Sequence, residues 1–198
     1  MTPIFGVTGW KNSGKTTLVT RLIAEFARRG YRVNSIKHAH HAFDIDVPGT
    51  DSFRHREAGA TEVAIVSGTR WALMHEVRDN DEPTMDEIIA RLAPADLILV
   101  EGYKRETQPK IECRLGVQEG KAPLAPNDPM IVAVASDHAP DDTGDTGDTG
   151  DLPRFHLDAI AEIADFIAAY HDLPPPGETS PSGPSTSGKG ADVAAQTA

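Results

Sequence analysis

Residues 9 to 17 read Gly-Trp-Lys-Asn-Ser-Gly-Lys-Thr-Thr, a complete G-x-x-x-x-G-K-[ST] phosphate loop. Ile4-Phe5-Gly6-Val7 stands ahead of it and Leu18-Val19-Thr20-Arg21-Leu22-Ile23 behind it. A buried strand, a glycine turn and an amphipathic helix thus follow one another in the order the motif requires. In that context the backbone N–H groups of residues 12 to 16 point at a β-phosphate beside a helix N-terminus. Lys15 is expected to reach the β- and γ-phosphates, and the Thr16 hydroxyl to take a Mg²⁺ position. The predicted phosphate-binding set is Gly9, Trp10, Lys11, Asn12, Ser13, Gly14, Lys15, Thr16 and Thr17. Lys11 lies one place after the extra lysine of the deviant phosphate loops that reach across a dimer, and it reads as an exposed lysine.

The helix closes at Arg28-Arg29-Gly30, with basic last-turn residues and a glycine stop. Tyr31-Arg32-Val33-Asn34-Ser35-Ile36-Lys37 then reads as a strand, completing a parallel, right-handed β-α-β unit. Asp51 is the expected cap of a short helix that ends at Gly59. Residues 61 to 66 and 71 to 75 look like two strands of a hairpin. Pro83-Thr84 opens another helix, with Met85, Ile88, Ile89 and Leu92 at helical spacing. The run Asp96-Leu97-Ile98-Leu99-Val100-Glu101-Gly102 is four aliphatics closing in a carboxylate, the pattern of a central parallel strand ending at a nucleotide site. Glu101 is the candidate to hold Mg²⁺ opposite Thr16, directly or through a water, and to orient an attacking water. Lys15 and Glu101 are accordingly the catalytic candidates.

Residues 109 to 117 alternate as a strand, and Met130-Ile131-Val132-Ala133-Val134-Ala135 is a further buried strand running into Ser136-Asp137. An aspartate beyond a late strand can accept hydrogen bonds from guanine N1 and N2, which makes Asp137 a base-binding candidate. No Asn/Thr-Lys-x-Asp sequence accompanies it. A closing helix is expected from 158 to 171, with Ile160, Ile163, Phe166 and Ile167 on its apolar face. Together these elements predict an α/β P-loop NTPase fold, a three-layer sandwich with a mostly parallel central sheet flanked by helices, plus a β-hairpin insertion.

With 198 residues the chain fits one nucleotide-binding domain over 1–172. The net charge of −11 argues against a general nucleic-acid binder. Five of those charges are the aspartates between 141 and 151, where Asp-Thr-Gly repeats three times, and −11 + 5 leaves −6 for the rest. Calcium-binding repeats of this kind need a nonapeptide period and aliphatic positions, so the stretch reads as a flexible acidic loop. Residues 173–198 are rich in Pro, Ser and Gly and read as a disordered tail. A single cysteine, Cys113, excludes an internal disulfide and fits a reducing compartment. With no apolar stretch near 18 residues and no charged leader, a cytoplasmic protein without membrane partners is expected.

Four segments carry a closer likeness. Gly9-Trp10-Lys11-Asn12-Ser13-Gly14-Lys15-Thr16-Thr17-Leu18, the 37–46 loop, Asp51-Ser52-Phe53-Arg54-His55-Arg56-Glu57-Ala58-Gly59-Ala60 and Leu99-Val100-Glu101-Gly102-Tyr103-Lys104 resemble the MobB family of molybdopterin-guanine dinucleotide biosynthesis adaptors. The resemblance spans about residues 3 to 171. It implies GTP and Mg²⁺ binding, a homodimer, and support of a MobA-type guanylyltransferase that joins GMP to molybdopterin, with any GTP hydrolysis slow. It also gives the 38–51 loop a place beside the phosphates or at the pterin-delivery face. There Lys37 and His38 would meet phosphate oxygens and Asp46 or Asp51 would support Mg²⁺.

Two other classes stay open at this point. His38, His40 and His41 with a carboxylate have the ligand types of a zinc or nickel site, as in a GTPase metallochaperone. Arg54 and Arg56 could form the lid of a small-molecule kinase.

Overall fold

The computed structural model describes residues 1–39, 43–78, 82–104, 106–116, 121–137 and 150–176. Alternation along β1 (Ile4–Thr8) decides what each layer covers. Phe5 and Val7, both fully buried, face one way and pack beneath α1 (Lys15–Arg28) with Leu18, Leu22 and Phe26. The same face is closed by α4 (Ile160–Tyr170) through Ile163, Ala164 and Ile167. Phe5 meets Phe166, Tyr170 and His171 edge-on, with ring centroids 6.4, 6.3 and 5.9 Å away. Ile36, Ile98 and Val100 face the opposite way, toward Met85 of the short α3 (Met85–Ile89). Helix, sheet, helix is the expected three-layer order.

All pairings in the six-stranded sheet are parallel, in the order β2 (Val33–Lys37), β5 (Leu97–Glu101), β1, β6 (Lys110–Arg114), β7 (Ile131–Ser136), β8 (Arg154–His156). β5 is buried at every position because it lies between β2 and β1, covered on both faces. After β5 the chain crosses β1 to begin the other half of the sheet, and a crevice at such a reversal, beyond the carboxyl ends of the strands, is where open α/β sheets bind ligands. β3 (Glu62–Val66) and β4 (Trp71–His75) form the expected hairpin as a separate antiparallel sheet, closed where Ser67 N donates to Arg70 O at 2.8 Å. No helix among the described residues is long and apolar enough to cross a membrane.

Three features differ from expectation. The cap of α2 (Asp51–Glu57) is Thr50, whose hydroxyl accepts from Phe53 N; Asp51 is the first helical residue and its side chain is almost wholly exposed. A three-residue strand, β8, was not expected from the sequence and adds an outer edge to the sheet. Leu173, at the start of the expected tail, packs against the core and donates its N–H to Ala168 O at 2.9 Å. The acidic repeat from 142 to 149 and residues 177–198 lie outside the described residues.

Lys110 and Glu112 point away from α1, and both are buried. The loops around them cover this part of the sheet and bring backbone polar groups that must be satisfied. Lys110 Nζ donates to Lys104 O (2.9 Å) and Glu106 O (2.8 Å), and pairs with Asp128 at 3.1 Å. Glu112 accepts from Leu124 N and Ala125 N, each at 2.9 Å, and from Arg114 at 2.8 Å. Two buried charges thus hold the loops that border the phosphate loop.

Candidate nucleotide site

The loop between β1 and α1 is built on positive-φ backbone. Gly9 has φ 143° and Gly14, which precedes the first turn of α1, has φ 87°. A Cβ at Gly9 would come within 2.4 Å of Cys113 O and 2.5 Å of Ser13 Oγ, so the loop cannot close with any larger residue there. Asn12 adopts φ 63°, which asparagine tolerates better than most residues. From below, Cys113 Sγ donates to Ser13 O at 2.8 Å. Burial pushes the Cys113 thiol up to about 12, which keeps it a protonated donor. Native protein is therefore expected to resist maleimide labelling at neutral pH and to take up one equivalent in denaturant. Mass spectrometry checks this, and rapid native labelling would contradict the buried position.

Glu101 and Thr16 meet at the mouth of the loop. Glu101 shares a strand face with Leu97 and Leu99, which pack beneath α1, so its carboxylate reaches that helix. Thr16 Oγ1 donates to Glu101 Oε1 at 2.7 Å, across 85 residues of sequence. Lys37, at the end of β2, lies 3.2 Å from the same carboxylate oxygen and 3.3 Å from Thr16 Oγ1. Two hard oxygen donors on adjacent elements fit a Mg²⁺ ion. Lys15 folds back to donate to Trp10 O at 2.6 Å. Burial, and then the neighbouring Lys104 ammonium, hold Lys15 below the ordinary lysine range. An anion that accepts from Lys15 would relieve both effects.

The remaining predicted residues fall in different places. Trp10 is half-buried beside the loop, its Nε1–H donating to Ala122 O at 2.8 Å, and Lys11 and Thr17 are exposed. His38 joins the group through its backbone, where His38 N donates to Glu101 O at 2.9 Å. Its ring lies against Tyr103 and its Nε2 stands 2.7 Å from Glu82 Oε1. Asp137 sits just past β7, at the carboxyl edge, and both its oxygens accept from Gly116 N, at 2.9 and 3.0 Å.

Asp46 is not among the contacts of Thr16 or Glu101. Its Oδ1 accepts from Ser52 (2.9 Å), Thr50 (3.0 Å) and Val47 N (3.0 Å), while Arg56 faces Oδ2 at 3.5 Å. Burial works against its charge, yet the Ser52 and Thr50 hydrogen bonds hold Asp46 below the usual carboxylate range. The carboxylate organises its own loop. Arg56 is drawn into the same network by Asp44 at 2.7 Å and Glu76 at 3.1 Å, which leaves it no reach toward a lid position. His40 and His41 lie outside the described residues. Among the described residues, no group of three or more His, Cys, Asp or Glu side chains could hold a metal ion.

A family model described as "Molybdopterin guanine dinucleotide synthesis protein B", MobB, matches residues 4–137, which include the phosphate loop, Glu101 and Asp137. The chain belongs to the MobB family. The molybdopterin-guanine dinucleotide biosynthesis adapter protein of Haemophilus influenzae is 39% identical over 170 residues, covering 83% of this chain and 87% of that protein. Its Escherichia coli counterpart is 41% identical over 140 residues, covering 69% and 79%. A crystal structure of molybdopterin-guanine biosynthesis protein B superposes with a TM-score of 0.63 at 25% identity, over 84% of this chain and 97% of that one. The MobB homologue of Bacillus stearothermophilus gives a TM-score of 0.59 at 25% identity, over 84% and 98%. The MobB fold with an intact phosphate loop implies nucleotide binding here.

Sequence reasoning missed Lys104 and Lys110. Lys104 Nζ lies 4.6 Å from the centroid of the Trp10 ring, and Lys121 Nζ lies 5.3 Å from it. A lysine three places after a Walker-type carboxylate was the signal available.

Proposed function

We propose that this chain binds GTP with Mg²⁺ in the loop from Gly9 to Thr17 and supports a MobA-type guanylyltransferase as it joins GMP to molybdopterin. What carries the reading is the 2.7 Å contact of Thr16 with Glu101 beside a complete phosphate loop, in a chain of the MobB family. The backbone N–H groups of the loop and Lys15 would take the β- and γ-phosphate oxygens. Thr16 and Glu101 would hold Mg²⁺, which when bound neutralises charge on those oxygens. In this reading Lys37 and His38 would meet phosphate oxygens, and Asp137 would accept from a guanine edge in exchange for Gly116 N. We assign the protein to the cytoplasm, with one domain that runs to Leu173 and the Pro/Ser/Gly-rich stretch beyond it as a tail.

The test is a reconstitution of molybdopterin, GTP, Mg²⁺ and the guanylyltransferase with and without this protein. A rise in dinucleotide yield supports the assignment; an unchanged yield with GTP still bound would end the adaptor role.

A homodimer is the assembly we favour. Val66 (75% exposed), Trp71 (69%) and Leu73 (47%) are large apolar groups left open on the hairpin, far more than a two-stranded sheet sheds at no cost. Trp71 and Leu73 line, with Phe43, a cleft of about 870 Å³ that runs to Lys37 and His38. A second copy covering this face would bury the patch next to the nucleotide site. Light scattering should find a dimer, and Trp71→Asp with Leu73→Asp should yield monomers; a wild-type monomer at micromolar concentration would exclude the assembly.

A further inference from the structure

We infer that Lys104 is a further phosphate-binding residue of this site, placed to meet the terminal phosphate and to favour a nucleoside triphosphate over a diphosphate. The inference rests on the nucleotide reading above, and it begins with the backbone. Gly102 and Tyr103 are consecutive residues at positive φ, 97° and 37°. For tyrosine that conformation is costly and persists only where surroundings enforce it. Three contacts do so: the Tyr103 ring lies 4.8 Å from His38, Gln108 Nε2 donates to Tyr103 O at 3.4 Å, and the buried Lys110 takes Lys104 O at 2.9 Å. The sharp reversal turns the chain back from Glu101 over the phosphate loop. Lys104 thereby brings its ammonium onto Trp10, the second residue of that loop.

At this point cations converge. Lys104 lies on the Trp10 ring at 4.6 Å, Lys15 lies on the Trp10 carbonyl at 2.6 Å, and Lys37 lies 3.3 Å from Thr16 Oγ1. Among the described residues, Glu101 is the carboxylate that pairs with this group, through Lys37, and no carboxylate lies within ion-pair distance of Lys104. An ammonium resting on the half-buried Trp10 indole gains only a modest cation–π attraction. A phosphate oxygen is the stronger partner, and a terminal phosphate carries the charge this cluster lacks. Its direction follows from Glu101. Thr16 and Glu101 would hold a Mg²⁺ ion, which would neutralise charge on the phosphate oxygens nearest Glu101, and Lys104 follows Glu101 by three residues. The built support of a buried lysine, spent on fixing the backbone of residue 104, has no role in the phosphate loop itself.

The experiment titrates the full chain with GTP and with GDP, each with Mg²⁺, by calorimetry. Lys104→Met should weaken GTP about ten- to hundredfold, the range of one charge-assisted contact, and leave GDP within about threefold. Lys104→Arg should keep most of the preference for GTP. Equal weakening of GTP and GDP would show that Lys104 merely holds Trp10 in place, and an unchanged GTP affinity would show that it touches no phosphate; either overturns the inference. Lys15→Ala separates the two readings. If Lys15→Ala loses GTP while Lys104→Met binds like wild type, Lys104 alone is misassigned. If wild type binds neither nucleotide, the nucleotide site fails and Lys104 with it. Thermal melting checks the fold, and Lys104→Gln repeats the comparison should the methionine variant unfold.

Discussion

Lys15→Ala will weaken GTP·Mg²⁺ binding by about two orders of magnitude while leaving the fold in place. A charge-assisted hydrogen bond is worth about 1.5–3 kcal/mol, and the loop lysine serves two phosphates in a partly buried position, so the upper end applies. The fold has little to lose. Lys15 makes one hydrogen bond, to Trp10 O, and that carbonyl still accepts from Ser13 N at 3.2 Å when the side chain is gone. Because burial and Lys104 already disfavour the charge, removing it relieves repulsion, and the unfolding midpoint should hold or rise slightly. The pH dependence has a definite sign. A lysine whose folded value is depressed loses its proton at lower pH than the ordinary 10.5, so wild-type affinity should fall on the alkaline side before an unperturbed lysine would titrate. The alanine variant should lack that fall. Calorimetric titrations of both proteins from neutral pH to about 9.5 decide it, and an alanine variant that binds GTP like wild type would sink the assignment of the site.

The phosphate loop, the α1 face and Glu101 were legible because their signals are local. A glycine pattern of fixed spacing, a helical period and an aliphatic run ending in a carboxylate each sit within one short window. The 2.7 Å meeting of Thr16 with Glu101 was legible only through the motif, since nothing in chain order says that the fifth strand inserts between the first two. Where competing local chemistries were equal, the choice depended on tertiary contacts. Thr50 and Asp51 are both good caps, and Thr50 takes the position with its hydroxyl also donating to Asp46. Asp46 offered a plausible Mg²⁺ ligand as an isolated carboxylate, until Ser52, Thr50 and Arg56 closed on it. β8 has three residues and follows the acidic repeat, too short for an alternation to register. Lys110 was invisible for a different reason. A lysine at an alternate strand position reads as solvent-facing, and only the loops folded over that face bury it.

Replacing Lys110 with methionine should therefore produce the largest stability loss of any change considered. The side chain is 1% exposed, and its three ammonium protons match three acceptors: Lys104 O, Glu106 O and Asp128 Oδ2. Methionine fills the space left by the stem but satisfies none of them. Removing one partner of a buried pair costs about 3–5 kcal/mol, chiefly because the other charge is left behind. Asp128 keeps a quarter of its side chain in solvent and still accepts from Met130 N at 3.0 Å, so the lower end, about 3 kcal/mol, is expected. For a domain of this size that lowers the midpoint by about 6–12 °C. Urea unfolding measures it directly, and a loss below about 1 kcal/mol would mean that water replaces the ammonium. Adding Asp128→Leu to the variant should recover part of the deficit, since the orphaned carboxylate is then gone, while the two carbonyls stay unsatisfied. Below the lowered midpoint the folded variant carries a second defect. With Lys104 O released, the turn at Gly102 and Tyr103 loses one of the contacts that enforce its positive φ, and the Lys104 ammonium is no longer fixed over Trp10. Its GTP affinity should then drop toward that of Lys104→Met, whereas a variant destabilised elsewhere in the core by the same amount should bind GTP normally when folded.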